Sequence, residues 1–434
     1  MRNVKYRTLV KPDTFIGRYM DYMSGLETPS AYDFWTAVWL TSLALGRGTV
    51  VLRPRIPVHM NWYIILCAES GLTRKSTAVS KATHVAHKFL EKVDDIILIE
   101  DKTTPETLEA VLNVASNTRG HAQAAITISE LVRFLGRERY NMSMPGLLTD
   151  LYDCPDQRRS PGTLSRGPSV ITNVFVSFLS ASTPSWISKS VNPNVVEGGF
   201  TSRVIFVHAE RRKHSVAWPS ENEGDAEVAT PSGLAHMMQR MRASADWVKN
   251  STSHGGINLS ESALKWYKRW YNSRPEHRDP FRATFEARED EHVLRLAGVL
   301  AANDEGWLIE MRHLQAATKV ILEAKTRGSR IFEGVMHADS LVYGIDKVRD
   351  VLIQAGTNTL TQTQIYNKVR RHFDRASFHV TLDILHELKM VQKFQTTSPK
   401  GGPRTALWRG TNLLTKQGAM ELILEQLTPS GTVS

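Results

Sequence analysis

The sequence predicts an α/β protein: a parallel sheet with helices on both faces, entered through a helical N-terminal segment and followed by a helical region and a small C-terminal unit. Two observations carry this. Short apolar runs alternate with helical patterns between residues 61 and 208, as parallel strands joined by helical crossovers require. Residues 61–77, NWYIILCAESGLTRKST, then join a buried-strand run to a polar, glycine-containing turn and directly to a helix.

Residues 1–58 read as helical, with AYDFWTAVWLTSLALG ending at Gly46 and Gly48 and its tryptophans packed as core. Strands are expected at 61–67, 95–99, 123–129, 173–180 and 203–208, with helices at 76–92 and 104–117. Residues 210–232 are polar, contain Pro and Gly, and read as a linker. Helix-forming sequence continues to about 335 and includes ESALKWYKRWY, where Trp266/Trp270 and Tyr267/Tyr271 are spaced to make a packed face. Within 346–410, three short helices precede two strand-like pieces around a proline- and glycine-rich tip, the pattern of a winged helix-turn-helix. The expected divisions are 1–58 (helical segment), 59–210 (sheet core), 211–340 (linker and helical lid), 341–410 (winged helix) and 411–434 (tail).

Composition bounds the function. The 434 residues are 41% hydrophobic and 23% charged, ordinary for a soluble chain. No apolar run approaches the roughly 20 residues that span a bilayer, and MRNVKYRTLVKPDTF lacks a signal-peptide core. Two cysteines, Cys67 and Cys154, make no disulfide framework or metal spacing. A cytoplasmic protein without a membrane partner is expected. The net charge of +10 favours polyanionic partners. Residues 361–410 hold nine Lys/Arg against three Asp/Glu, concentrating that excess in the winged helix.

The strand–turn–Lys-Ser/Thr–helix run has the parts of a phosphate-binding loop. Loop amides and the helix N-terminus face phosphates, the lysine neutralises β/γ charge, and a hydroxyl binds Mg²⁺. Ser70, Gly71, Arg74, Lys75, Ser76 and Thr77 are the candidate ATP-binding residues, with Ser76 the Mg²⁺ ligand. The string departs from G-x-x-x-x-G-K-[ST]: it is one residue longer, with Ala68 and Arg74 at the glycine positions.

Hydrolysis needs further groups. A carboxylate at a neighbouring strand end orients the metal and the attacking water, and AAITIS-Glu130 supplies it, with Ser129 where an aspartate usually stands. A polar residue ending the strand between these two reaches the γ-phosphate; Ser180, Ser182 and Thr183 fit, Thr183 best. Charge on γ-phosphate oxygens is best met by guanidinium groups. Arg203 precedes the fifth strand after a glycine pair, and Arg288 heads REDEHVLRLAGVLAA, where Glu291 and Arg295 are spaced to pair.

The run FTSRVIFV resembles the L-S-R-F-D-L-(I/V)-F segment of minichromosome maintenance (MCM) helicases. REDEHVLRLA is similar to their lid signature R-x-L-E-x-x-x-R-L-A, and ASTP stands where they carry A-N-P. Residues 30–210 resemble more closely a family of P-loop proteins from phages, prophages and mobile elements, often described as replicative primase-helicases. Shared features are the FW-containing lead-in, the GKST-like loop, Asp101-Lys102-Thr103-Thr104-Pro105-Glu106, a Ser-Glu pair and GGF-x-SR. The resemblance covers about 30–335 and implies a P-loop NTPase of AAA+/MCM-like fold. It implies Glu130 as the hydrolytic glutamate, Arg203 as a finger acting on a neighbour's ATP, and Arg288 as the lid arginine.

The resulting expectation is an ATP- and Mg²⁺-dependent DNA helicase, a homo-oligomer of hexameric form, serving replication of a phage or mobile element. Single-stranded DNA is expected through the ring, gripped by Arg158, Arg159 and Arg166 in a turn-rich segment where only Asp156 is acidic. Duplex is expected at the winged helix through Arg375, His379, Lys400 and Arg404. The alternatives are an ATP-switched initiator or loader without processive unwinding, and a DNA-binding scaffold with a degenerate ATPase site.

Overall fold

Five apolar strands build the central sheet: β1 (Tyr63–Cys67), β2 (Ile97–Ile99), β3 (Ala122–Ile128), β4 (Val174–Ser182) and β5 (Val204–His208). Their order is β2-β3-β4-β1-β5 and every pairing is parallel. Every residue of β1, β3 and β4 is buried, so helices cover both sheet faces there. The register places Cys67 beside Ser182 and His208, and Ile128 beside Ser180, so the C-terminal ends of β1, β3 and β4 meet at one edge. The computed structural model describes residues 4–100, 103–135, 143–160, 169–190, 199–218, 230–251, 256–274, 280–332, 340–356, 358–370, 375–387, 389–396 and 405–411.

The helices follow from local signals. Thr14 caps α1 (Phe15–Tyr22), accepting from the Gly17 amide. α2 (Ser30–Leu45) is apolar all round, including Trp35 and Trp39, and accordingly lies inside, packed on α1, α3 and β4. α3 (Lys75–Leu90) buries Ala78, Ala82, Val85, Ala86 and Phe89 at helical spacing. α4 (Pro105–Arg119) has Thr104 as cap and Pro105 at its first turn. The order continues with α5 (Met144–Tyr152), α6 (Pro184–Ser190), α7 (Phe200–Arg203), α8 (Pro231–Ser251), α9 (Glu261–Asn272), α10 (Pro280–Asn303) and α11 (Met311–Phe332). Among the described residues, no helix is long and apolar enough to cross a membrane.

Four expectations change. The N-terminal segment is not wholly helical: Val50–Val51 pairs antiparallel with Val58–His59. β-branched valines after the helix-ending Gly46 favour this extension. The described part of the linker is anchored, because Lys213 Nζ donates to the Met23 carbonyl (2.7 Å) and pairs with buried Asp33 (2.9 Å). In α9 only Ala263 is buried; Trp266 and Trp270 stack on each other, 6.2 Å apart and 4° from parallel, at the half-exposed surface. Glu291 pairs with Arg288 (3.0 Å) rather than with Arg295, whose buried guanidinium is taken up elsewhere.

Contacts divide the chain into Met1–Phe332 and Glu333–Ser434. The second unit contains α12 (Ser340–Ala355), β6 (Leu360–Thr361), α13 (Gln362–Val369), α14 (Arg375–Glu387), β7 (Val391–Thr396) and β8 (Thr405–Gly410). Its antiparallel sheet has the order β6-β8-β7. A reciprocal Thr361/Gln364 capping box starts α13, and Val348, Ile365, Phe378, Leu382 and Trp408 fill the core.

Candidate nucleotide site

The turn after β1 is held from below. Tyr32, on α2, donates its hydroxyl to the Cys67 carbonyl (2.7 Å) and lies 3.3 Å from the buried Thr73 hydroxyl. Arg74 then enters left-handed backbone (φ 52°, ψ 41°) and α3 begins at Lys75 with no side-chain cap. That conformation explains why phosphate loops place glycine here. The Arg74 side chain turns to Glu27 (2.7 Å), which also takes Arg212 (2.7 Å) and the Val216 amide (3.1 Å). Arg74, the Val216 amide and Arg212 together hold the Glu27 carboxyl below its usual range.

Lys75 folds back over the turn, donating to the carbonyls of Ala68 (2.7 Å) and Glu69 (3.2 Å). Partial burial lowers its ammonium from the ordinary lysine value. The uncapped first turn of α3 opens into a cleft of about 390 Å³ lined by Ser70, Gly71, Arg74, Lys75, Ser76 and Thr77 on one side. Ser129, Glu130, Leu131, Ala181, Ser182, Thr183 and Trp186 line the remainder. The expected residues from three separate strand ends thus share one cleft. Ser180 does not line it: its buried hydroxyl donates to the Ile128 carbonyl (2.7 Å). Thr183 also starts α6, accepting from the Trp186 amide (3.2 Å).

These residues fit a nucleoside triphosphate with Mg²⁺. The uncapped turn offers amide donors, Gly71 (φ +79°) has open space where a Cβ would sit, and a lysine, a Ser-Thr pair and a carboxylate surround the opening. Among the described residues no cluster of three His, Cys, Asp or Glu could hold a metal alone. Mg²⁺ needs none, because it is commonly held by one or two side chains together with substrate phosphates.

Arg203 and Arg288 are not among the cleft-lining residues. They meet at Asp153, just past α5: Arg203 Nη2 lies 2.8 Å from Oδ2, and Arg288 donates to Oδ1 (2.8 Å) and Oδ2 (3.2 Å). Arg203 also donates to the Gly199 carbonyl (2.9 Å). Both guanidinium carbons stand 5.9 Å from the Tyr152 ring centre, and Arg295, 4.5 Å from it, bonds the Tyr152 hydroxyl and the His59 carbonyl. His292, one turn beyond Arg288, bonds the Ser202 carbonyl (2.8 Å), and burial pulls its imidazole down to about 4. Burial raises the Glu291 carboxyl despite Arg288. Sequence reasoning missed Tyr152, Asp153, Glu27 and His292; no local spacing marks them, since each acts across long chain separations.

The expected DNA contacts divide. Gln157–Ser160 and Ser169–Thr172 form an antiparallel hairpin before β4. Arg158 is not free of acids, as the sequence implied: it pairs with Glu109 (2.6 Å) and Asp150 (3.5 Å). Arg159 is exposed. In the second unit Arg375 and His379 are exposed one turn apart on α14, with His379 Nδ1 2.6 Å from Gln362 Nε2. Arg166, Lys400 and Arg404 lie outside the described residues.

No protein-family model matches the chain. No curated protein gives a significant match. Among solved structures it is similar to a full-length MCM homolog from Methanopyrus kandleri, with TM-score 0.41, 13% identity and coverage of 75% of this chain. The match spans 63% of that homolog, less than two thirds of its length.

Proposed function

We propose that the chain is an AAA+-like ATPase subunit that assembles as a ring, a hexamer, and moves along DNA in the cytoplasm during replication of a phage or mobile element. One observation carries the ATPase reading: Lys75-Ser76-Thr77, Glu130 and Thr183, from the ends of β1, β3 and the intervening β4, line a single cleft. When bound, Mg²⁺–ATP supplies the transferable phosphoryl group and a neutralising dication. The α3 amides and Lys75 would hold phosphate oxygens, the Ser76 hydroxyl and Glu130 would hold the metal, and Thr183 would orient the γ end. Glu130 draws the proton from an attacking water.

Arg203 and Arg288, paired away from their own cleft, serve the nucleotide of an adjacent copy. α10 acts as the lid, and the second unit acts as a winged helix presenting Arg375 and His379 to duplex DNA. The hairpin before β4 is proposed to reach the strand in the ring through Arg159. Arg158, already ion-paired, holds its base. A switch reading, an initiator without processive unwinding, is favoured by Ser129 standing where the metal-side carboxylate belongs.

The test is ATP turnover with and without single-stranded DNA, beside mass determination with a non-hydrolysable ATP analogue. A motor shows strand-stimulated turnover and an ATP-dependent ring. Nucleotide-dependent assembly on duplex without stimulation marks the switch, and no ATP binding removes both readings.

A further inference from the structure

Asp153 has an unusual position for a carboxylate. It follows α5 at the cap position, where helix carbonyls disfavour an anion, yet its two oxygens receive three N–H groups from two arginines. The arginine side chains are only 11% and 20% exposed, whereas Asp153 is 48% exposed, so the carboxylate closes the pair from the solvent side. The Tyr152 ring contacts both guanidinium groups. Arg203 is further fixed by the Gly199 carbonyl and Arg288 by Glu291. The fork therefore keeps its shape when its outer anion is exchanged.

We infer that Asp153 is a positioning residue that occupies the arginine pair as an internal stand-in for phosphate, and that the γ-phosphate presented by an adjacent copy displaces it. This rests on the reading that Arg203 and Arg288 serve a neighbour's nucleotide. Displacement exchanges one carboxylate for an oxyanion of higher charge and returns Asp153 to water, away from the helix end. Asp153 thereby opposes assembly until a γ-phosphate is present.

The inference is tested in the full chain carrying Lys75→Ala, which removes the loop lysine, with inorganic phosphate as the probe and the thermal midpoint as readout. Lys75→Ala alone should show little phosphate response. Lys75→Ala/Asp153→Asn should gain a saturable upward shift, because the pair, relieved of its competing carboxylate charge, binds phosphate in the folded state alone. Adding Arg203→Ala should remove that gain. In the otherwise wild-type chain, Asp153→Asn should lower the protein concentration for ATP-analogue-driven half-assembly by about tenfold, equivalent to about 1.4 kcal/mol. Asp153→Ala, which lacks the amide, should act in the same direction and substitutes if the asparagine variant folds poorly.

No phosphate response in either folded double variant, or an unchanged or raised assembly midpoint, overturns the assignment. A chain that never binds ATP but shows the Arg203-dependent phosphate response would instead refute the ATPase reading and leave Asp153 as the pair's displaceable anion.

Discussion

Gly199 offers a way to move the arginine without touching it. Its φ is +82°, and a Cβ built there would fall 2.9 Å from Arg203 Nη1. Gly120, at the end of α4, has φ +74° with nothing within 4 Å of such a Cβ. Alanine at either position takes on left-handed strain of about 1–2 kcal/mol, partly offset by about 0.5–1 kcal/mol from the stiffer unfolded chain. Gly120→Ala should therefore cost about 1 kcal/mol and leave ATP turnover near wild type. Gly199→Ala carries the same backbone cost, and the guanidinium tip must also shift, weakening the bond it makes to the Gly199 carbonyl at 2.9 Å. Losing one such hydrogen bond adds about 1 kcal/mol. The stability difference between the two variants is thus small, while the functional difference should be large. Displacing a catalytic cation by about 1 Å can reduce rate roughly a hundredfold. Thermal unfolding and steady-state ATPase of the two alanine variants provide the measurement. Mixing Gly199→Ala with Lys75→Ala subunits should restore part of the activity, since a mixed interface joins an intact loop to an intact arginine. Equal turnover in Gly199→Ala and Gly120→Ala would refute the role given to Arg203.

Lys75→Ala should reduce turnover by orders of magnitude in a folded chain, and Arg74 should not rescue it because that side chain is committed to Glu27; turnover is read beside circular dichroism. Glu130→Gln should bind ATP near normally yet hydrolyse it poorly and accumulate the assembled form, as native mass determination reports. Arg159→Ala should flatten the salt dependence of single-strand binding and reduce DNA stimulation, with basal ATPase intact; removing 346–434 should mainly weaken duplex binding. Acid should destabilise the protein through His292. Its folded value is depressed to about 4 from an ordinary 6.5, so this contribution is present above pH 6.5 and disappears as pH falls toward 4. The span corresponds to about 3 kcal/mol, and His292→Phe should flatten the stability profile over that range in equilibrium denaturation.

The sheet was largely legible because its information is local. Apolar strands bounded by turns are legible within one or two residues, and YIILC running into Lys-Ser-Thr marks the strand, turn and helix start that open into the cleft. The cleft was partly legible for the same reason: Glu130 and Thr183 each follow an apolar strand, and the parallel register brings such ends together. What stayed hidden depends on long separations. Nothing near Glu27 announces Arg74 and Arg212, and nothing in LYDCPD announces two arginines from later helices. The α9 aromatics show the opposite failure, because spacing alone does not distinguish rings that face a core from rings that stack on each other at the surface.

The strand order also dictates when this molecule can become a folded object during synthesis. β1 emerges early, but its neighbours are not the next strands made: Tyr63 pairs with Phe178 on one side and Val204 on the other. Until those segments leave the ribosome, an apolar five-residue strand has both hydrogen-bonding edges unmatched, the condition that favours pairing with another nascent chain. β2 and β3 can pair first but cannot seat β1 without β4. Such non-local closure slows folding. A ribosome-bound fragment ending before β4 should consequently remain protease-sensitive around residues 63–67, and protection there should arise only once β4 and β5 have been released.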